Sequence, residues 1–246
     1  HRDRSPQQRK LYQEVYRLMD GFIHMGKSSV ELLDRDFEPQ VANKPRSVIP
    51  HGNYQVFGDR IQKEKSRSLL GLEDRPTALF MGAIRNAEEW QLARKMIRAV
   101  ASQKGRVVLA VKFPLRKRSS NLGSRVFARS MDEFKKFLIS AVVNMRRCVT
   151  LMRSPVSAEK VASIVSASDV VMIPRIDALN SGNVSLGFTF GAVVCGPDCG
   201  NIGEILRETG NVCFPANSSE KDIEVSVAKA FRLADEGLGE SNYKFA

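Results

Sequence analysis

The chain has 246 residues, of which 43% are hydrophobic and 26% charged, a composition that fits a globular protein with a sizeable core and excludes a disordered or fibrous one. No apolar run approaches the roughly 20 residues that a membrane-spanning helix needs, and from the polar first residues we expect no signal peptide there. The formal net charge of +11 points to three classes of partner, namely nucleic acid, anionic lipid headgroups or a phosphorylated small molecule.

Apolar runs of strand length alternate along the chain with amphipathic runs of helix length. The predicted strands are residues 21–25, 47–50, 78–81, 107–111, 148–152, 170–173, 192–195 and 212–214. The predicted helices are residues 7–18, 27–34, 60–71, 87–103, about 130–144, a helix beginning at 157, 182–190, 201–208 and a closing helix at 219–236. Because the strands are continuous and rich in β-branched residues, they suit a parallel sheet that is buried on both faces. The order therefore predicts an α/β fold with a doubly wound, Rossmann-like parallel sheet.

A polar segment at residues 39–45 marks the predicted domain boundary. Residues 1–45 are too short for a core of their own, so we expect the end of a preceding domain or an extension docked on this one. Residues 46–246 form the predicted Rossmann-like domain. Because the chain does not begin with Met, we expect it to start within a longer protein.

A basic loop is predicted at residues 116–129, where arginine and lysine stand among Ser, Asn and Gly. Two interpretations of this loop stay open. It is either a solvated surface loop, or it contacts membrane phosphates or an acidic acceptor. Nucleic acid is not an expected partner, because stacking aromatics do not alternate with the basic residues. We expect a cytoplasmic protein, with peripheral contact to an anionic membrane as the alternative.

The four cysteines favour a reducing compartment, because most of them lie in or beside apolar runs as small buried hydrophobes would. A redox or metal pair formed by Cys195 and Cys199 is the alternative, although their spacing is unusual for zinc.

Candidate binding residues follow the predicted strands, because ligands of open α/β sheets bind at the carboxyl ends of the strands. Arg85 follows the strand at 78–81 and is either a diphosphate ligand or an ordinary surface arginine. Asn180, Ser181 and Gly182 open a helix, as a plain cap or as an anion site. Glu204, beside several glycines, is either a helix-start residue or a ligand for a sugar hydroxyl.

Several segments resemble the C-terminal, donor-binding lobe of family four-like glycosyltransferases of the GT-B fold. They are residues 48–54 (VIPHGNY), 80–85 (FMGAIR), 168–174 (SDVVMIP), 179–183 (LNSGN), 200–204 (GNIGE) and 209–215 (TGNVCFP). They occur in the order and at the spacing of that family, from about residue 46 to 236. Residues 1–45 are similar to the last helix and strand of the acceptor lobe.

The resemblance implies binding of a UDP- or GDP-sugar and transfer of its sugar to a glycan or lipid-linked acceptor. Metals and cofactors are not expected, because side chains and a helix dipole stabilise the leaving diphosphate. The implied binding residues are Arg85 at the diphosphate, the Asn180–Ser181 loop with the amides of Gly182, Asn183 and Val184 at phosphate, Glu204 at the sugar and His51 near the interlobe cleft. The resemblance favours retention of configuration and leaves the catalytic residues unknown.

Two departures from the family pattern keep other functions open. The family often has a lysine soon after its arginine, and here Lys112 is the possible substitute. The paired glutamates of the family are absent, with Leu186 where the second would fall. A degenerate, non-catalytic module that binds a partner or membrane is therefore one alternative. A nucleotide-sugar epimerase of the GT-B fold is another, with His51 and Asp177 as its candidate catalytic groups.

Overall fold

Helices and strands alternate through most of the chain in the computed structural model, which describes residues 5–112, 148–152 and 156–246. The strands are β1 (Phe22–His24), β2 (Arg46–Val48), β3 (Thr77–Ala83), β4 (Arg106–Lys112), β5 (Val149–Leu151), β6 (Val170–Met172), β7 (Val193–Pro197) and β8 (Val212–Phe214). The helices are α1 (Pro6–Leu18), α2 (Lys27–Val41), α3 (Lys63–Leu70), α4 (Ala87–Ser102), α5 (Ala158–Ser166), α6 (Gly182–Thr189), α7 (Gly200–Glu208), α8 (Glu220–Asp235) and α9 (Leu238–Phe245). A turn of 3-10 helix covers Gln55–Phe57.

The helix ends follow local chemistry that is visible in the sequence. Gly71 ends α3 in the left-handed region at φ 63°, where glycine has no steric penalty. Asn86 caps α4 by accepting the amide of Glu89. At the start of α8, Ser219 and Asp222 form a reciprocal capping box.

Strands β3 to β8 form one parallel sheet in the order β5-β4-β3-β6-β7-β8. The chain runs outward from β3 to β5 and then returns to the other side of β3 with β6, in the register Ala78↔Val170. The reversal between β3 and β6 is a topological switch point, where the loops after neighbouring strands diverge and leave a crevice. The predicted doubly wound parallel sheet is confirmed.

Both faces of the sheet are covered by helices. On one face, α4 and α8 bury Trp90, Met96 and Phe231 against it. On the other, α5, α6 and α7 bury residues such as Ile164 and Phe188. Burial on both faces explains the continuous apolar strands.

The N-terminal segment packs a small cluster of its own, in which α2 buries Leu33, Phe37 and Val41. Strand β1 pairs in parallel with β2, with Phe22 opposite Arg46. This pairing crosses the predicted boundary after residue 45, and the division into 1–45 and 46–246 stays a prediction.

The structure corrects the extent of one predicted helix and adds another helix at the C-terminal end. Helix α2 continues past residue 34 to Val41, through a non-helical Phe37, because the apolar residues of its last turns are buried. Helix α9 was not predicted, since residues 219–236 were expected to close the chain. Its polar sequence is held by Asn242, which is 1% exposed and donates to the Ala192 carbonyl oxygen at 2.9 Å. The predicted basic loop at 116–129 and the helix at about 130–144 lie outside the described residues.

Candidate functional site at the carboxyl ends of the strands

The turn after β3 forms one side of the switch-point crevice. Just before it, Gly82 in the last residues of β3 has a φ of +99°, which favours glycine. The Ile84 amide donates to the Lys112 carbonyl oxygen at 3.1 Å, so this turn is tied to the end of β4. The side chains of Arg85 and Lys112 are therefore both exposed at the same edge of the sheet.

A buried ion pair connects this turn to the loop after β6. Nη1 of Arg175 lies 2.8 Å from Oε2 of Glu89, and the two side chains are 9% and 4% exposed. The same Glu89 oxygen accepts the Arg85 amide at 2.7 Å. One carboxylate thus fixes the positions of both loops that border the crevice.

The first turn of α6 lies against β3. Asn183 donates its side-chain amide to the Met81 carbonyl oxygen at 2.7 Å. Ser181 occupies the N-cap position of α6 but makes no side-chain capping bond. The Val184 amide donates to the Ser181 carbonyl oxygen at 3.1 Å, so it is engaged within the turn.

His51 and Tyr54 stack beside the same turn, with ring centroids 5.3 Å apart. Nδ1 of His51 lies 2.8 Å from the Gly52 carbonyl oxygen, and its Nε2 lies 3.4 Å from the Tyr54 hydroxyl oxygen. A Cβ atom at Gly182 would collide with that hydroxyl and would lie 3.6 Å from His51 Nε2. Gly182 is therefore needed for close packing here.

Glu204 is engaged by the N-terminus of α2. Its carboxylate accepts the amides of Lys27 and Ser28 and the Ser28 hydroxyl, each at 2.8 Å. Burial by itself would raise the pKa of Glu204, but these hydrogen bonds outweigh it and hold the pKa below its ordinary value. The carboxylate predicted to bind sugar therefore caps a helix of the N-terminal segment in this structure.

Asn201, also in α7, makes further hydrogen bonds to the N-terminus of α2. Its Nδ2 donates to Ser29 Oγ at 2.6 Å and to Asn180 Oδ1 at 2.7 Å. Its Oδ1 accepts the Ser29 amide at 3.1 Å. Asn180 is thus linked through Asn201 to α2.

Two cavities lie between the N-terminal segment and the carboxyl-end loops. The smaller, of about 200 Å³, brings together several of the predicted site residues, namely His51, Asn180, Ser181, Val184 and Glu204. The larger, of about 560 Å³, has a charged lining that includes Arg9, Glu31, Arg35, Asp36 and Asp177. Arg85, Lys112 and Asn183 line neither cavity and lie on the β3 side of α6.

Sequence reasoning assigned no role to Arg175, Glu89, Tyr54 or Asn201. Arg175 follows the predicted strand 170–173 directly after a proline, and the rule that selected Arg85 would have found it. Glu89 gave no signal of its own, because its partner lies 86 positions away.

Across the described ranges, no group of three or more His, Cys, Asp and Glu side chains is arranged to hold a metal ion. Among the helices that the structure describes, none is long and apolar enough to cross a membrane.

The sequence comparisons give no relative. No protein-family model matches this sequence. The search of curated proteins likewise finds no match.

Comparison with solved structures shows the fold. The chain has the Rossmann-like fold of the C-terminal lobes of GT-B glycosyltransferases. One similar structure is sucrose-phosphate synthase from Thermosynechococcus elongatus, with a TM-score of 0.75 and 16% identity over 98% of this chain and 57% of the synthase. The chain thus spans less than two thirds of the length of that enzyme.

Two further structures resemble this chain. The C-terminal domain of a group 1 glycosyltransferase from Francisella tularensis matches with a TM-score of 0.60 and 13% identity over 79% of this chain and 95% of that domain. The Anabaena protein HepE, in complex with UDP and glucose, matches with a TM-score of 0.62 and 12% identity over 98% of this chain and 66% of HepE.

Proposed function

We propose that this chain is the donor-binding part of a glycosyltransferase that takes a sugar from a nucleoside diphosphate sugar. The observation that carries the proposal is the convergence of three segments on the first turn of α6. They are the end of β3, whose Met81 carbonyl oxygen accepts a hydrogen bond from Asn183, the loop that ends at Ser181, and the segment of His51 and Tyr54 that packs on Gly182. This convergence is at the switch point, where open α/β sheets bind their ligands.

The chemistry of this edge suits a diphosphate. The N-terminus of α6 carries a partial positive charge and amide donors. Arg85 and Lys112 add two exposed cations at the neighbouring strand ends. During transfer, negative charge develops on the departing diphosphate, and fixed donors and cations of this kind stabilise it without a metal ion.

The solved structures support the same class of ligand, since HepE was crystallised with UDP and glucose. We propose UDP or GDP as the nucleotide and a glycan or a lipid-linked sugar as the acceptor. The charged cavity of about 560 Å³ beside α2 is large enough for a sugar, and its carboxylates and guanidinium groups suit hydroxyl groups. We assign no catalytic base to this chain.

Calorimetric and thermal-shift titrations with UDP, GDP, ADP and their glucose or mannose conjugates test the proposal. A nucleotide at 100 times its dissociation constant adds about 2.7 kcal/mol of stability. For a chain of this size, that corresponds to a rise in Tm of about 5–10 °C. Because charge-assisted hydrogen bonds contribute about 1.5–3 kcal/mol, Arg85→Ala should weaken binding about tenfold to one-hundredfold.

Arg232→Ala is the matched control, since Arg232 is 67% exposed on α8, away from the switch point. It should bind the nucleotide as the wild type does. Equal loss of affinity in both variants would indicate a general charge effect. A wild-type chain that binds none of the nucleotides would argue against a donor site.

A further inference from the structure

The buried guanidinium of Arg175 lies beside Gly82 at the end of β3, close to Asn183 in the first turn of α6. Its Nη1 arm is fixed by Glu89 at 2.8 Å. Its Nη2 lies 3.8 Å from the position that a Cβ atom would take at Gly82, and Asn183 Nδ2 lies 3.7 Å from the same position. Two nitrogen donors, one from the loop after β6 and one from the first turn of α6, therefore face the space that the missing side chain of Gly82 leaves open.

We propose that Arg175 is a diphosphate-binding residue, donating through Nη2, and that Glu89 is the positioning residue that orients it. The inference rests on the proposed function and adds to it a specific ligand contact. A planar guanidinium with one arm held by a carboxylate presents its other arm in a fixed direction, which suits a phosphate oxygen better than a mobile lysine does.

The surroundings give Arg175 a different role from that of the exposed cations. Glu89 neutralises the charge of Arg175 at close range, so this residue adds little to the long-range attraction of an anion. Its contribution is a hydrogen bond of fixed geometry, because the Arg175 side chain is only 9% exposed and is held by Glu89. Arg85 and Lys112 supply the attraction, and Arg175 supplies the orientation.

Gly82 is part of the same arrangement. At φ +99°, an L-residue is strained, and its Cβ atom would lie in the space between the two donors. The glycine thus lets a ligand approach Nη2 of Arg175 and Nδ2 of Asn183.

The test compares ligands with and without phosphate. Calorimetric titrations use UDP, GDP and ADP, their parent nucleosides and inorganic pyrophosphate, each against the wild type, Arg175→Gln and Arg175→Lys. We expect Arg175→Gln to weaken nucleoside diphosphate binding about tenfold to one-hundredfold and to change nucleoside binding less than about twofold. The affinity of Arg175→Lys for nucleoside diphosphates should lie between those of the wild type and Arg175→Gln. Lysine keeps the positive charge but lacks the paired, planar donors of the guanidinium group.

A double variant guards against a folding defect, since Arg175→Gln alone leaves Glu89 buried without its cation. Glu89→Gln with Arg175→Gln replaces the ion pair by two amides that can bond to each other. Retained nucleoside affinity with weakened diphosphate affinity in this variant would support the proposal. Arg232→Gln, in an exposed position on α8, is the control for loss of one positive charge.

The outcomes separate this inference from the proposed function. If the wild type binds a nucleoside diphosphate and Arg175→Gln binds it with the same affinity, the inference is overturned and the proposed function is not. Equal weakening of nucleoside and diphosphate would also overturn it, because it would show a structural role. A wild type that binds neither the nucleotides nor pyrophosphate would overturn the proposed function together with the inference.

Discussion

Two buried carboxylates lie at opposite ends of the central strands, and their partners differ. At the amino end of β6, Asp169 accepts Nη2 of Arg67 at 2.6 Å, Nζ of Lys63 at 2.6 Å and the Thr77 amide at 2.7 Å. Arg67 is also fully engaged, because its Nε donates to the Ala167 carbonyl oxygen and its Nη1 to Asp74. The bonds of this cluster connect α3 and the segment after it to the amino ends of β3 and β6, and none of these donors faces open space.

At the carboxyl end, Glu89 and Arg175 form a pair of similar burial with a different geometry. Only Nη1 of Arg175 is held by Glu89, and Nη2 faces the open space at Gly82. The amino end of a parallel sheet supports stability, whereas the carboxyl end binds ligands. The comparison teaches that burial and charge alone do not identify a binding residue, and that the direction of each donor decides between the two roles.

The largest expected effect is at the amino end. Asp169→Ala leaves the buried Arg67 without its main carboxylate and should lower the free energy of unfolding by about 3–5 kcal/mol. Urea denaturation measures this change. Asp235→Ala, in an exposed position at the end of α8, is the control and should stay within about 0.5 kcal/mol of the wild type. A loss below about 1 kcal/mol for Asp169→Ala would break the comparison.

A smaller loss of stability is expected for a substitution of Glu204. This carboxylate lies at the carboxyl ends of the strands, and its hydrogen bonds hold α2 against α7. Its folded pKa lies below the ordinary value of 4.5, so its stabilisation is present above that value and is lost as the pH falls through the lowered folded pKa. Because it caps α2, Glu204→Gln should cost about 1 kcal/mol at pH 7. We expect the difference from the wild type to shrink below about pH 4.5.

Urea denaturation of both proteins between pH 3 and 7 measures this difference. Glu208→Gln, one turn further along α7 and exposed, is the matched control, and its free energy of unfolding should stay within about 0.5 kcal/mol of the wild type at pH 7. A difference that stays constant down to pH 3 would mean that the charge of Glu204 does not hold α2.

The smallest effect is expected for an ion pair on the surface. Arg98 and Glu220 lie 2.7 Å apart and connect α4 to α8, but their side chains are 49% and 62% exposed. Arg98→Ala should change the free energy of unfolding by less than about 1 kcal/mol, and the change should vanish in 1 M NaCl. A loss as large as that at Asp169 would show that burial does not separate these pairs.

Local chemistry made most of the fold predictable. Strands buried on both faces require continuous apolar residues, and for this reason the runs at 78–81, 107–111 and 170–173 were recognised. Helix α9 was missed because its polar sequence has no amphipathic signal strong enough to identify it. It is held by tertiary contacts, such as that between the rings of Phe245 and Phe188, whose centroids lie 5.9 Å apart.

The candidate site was predictable only in part. The order of apolar runs was enough to predict that Arg85, Gly182 and Glu204 follow strands. The partners of these residues depend on how the elements pack. The bonds from Arg175 to Glu89 and from Ser28 to Glu204 span 86 and 176 positions. Contacts over such distances depend on strand order and helix packing, which no local pattern encodes.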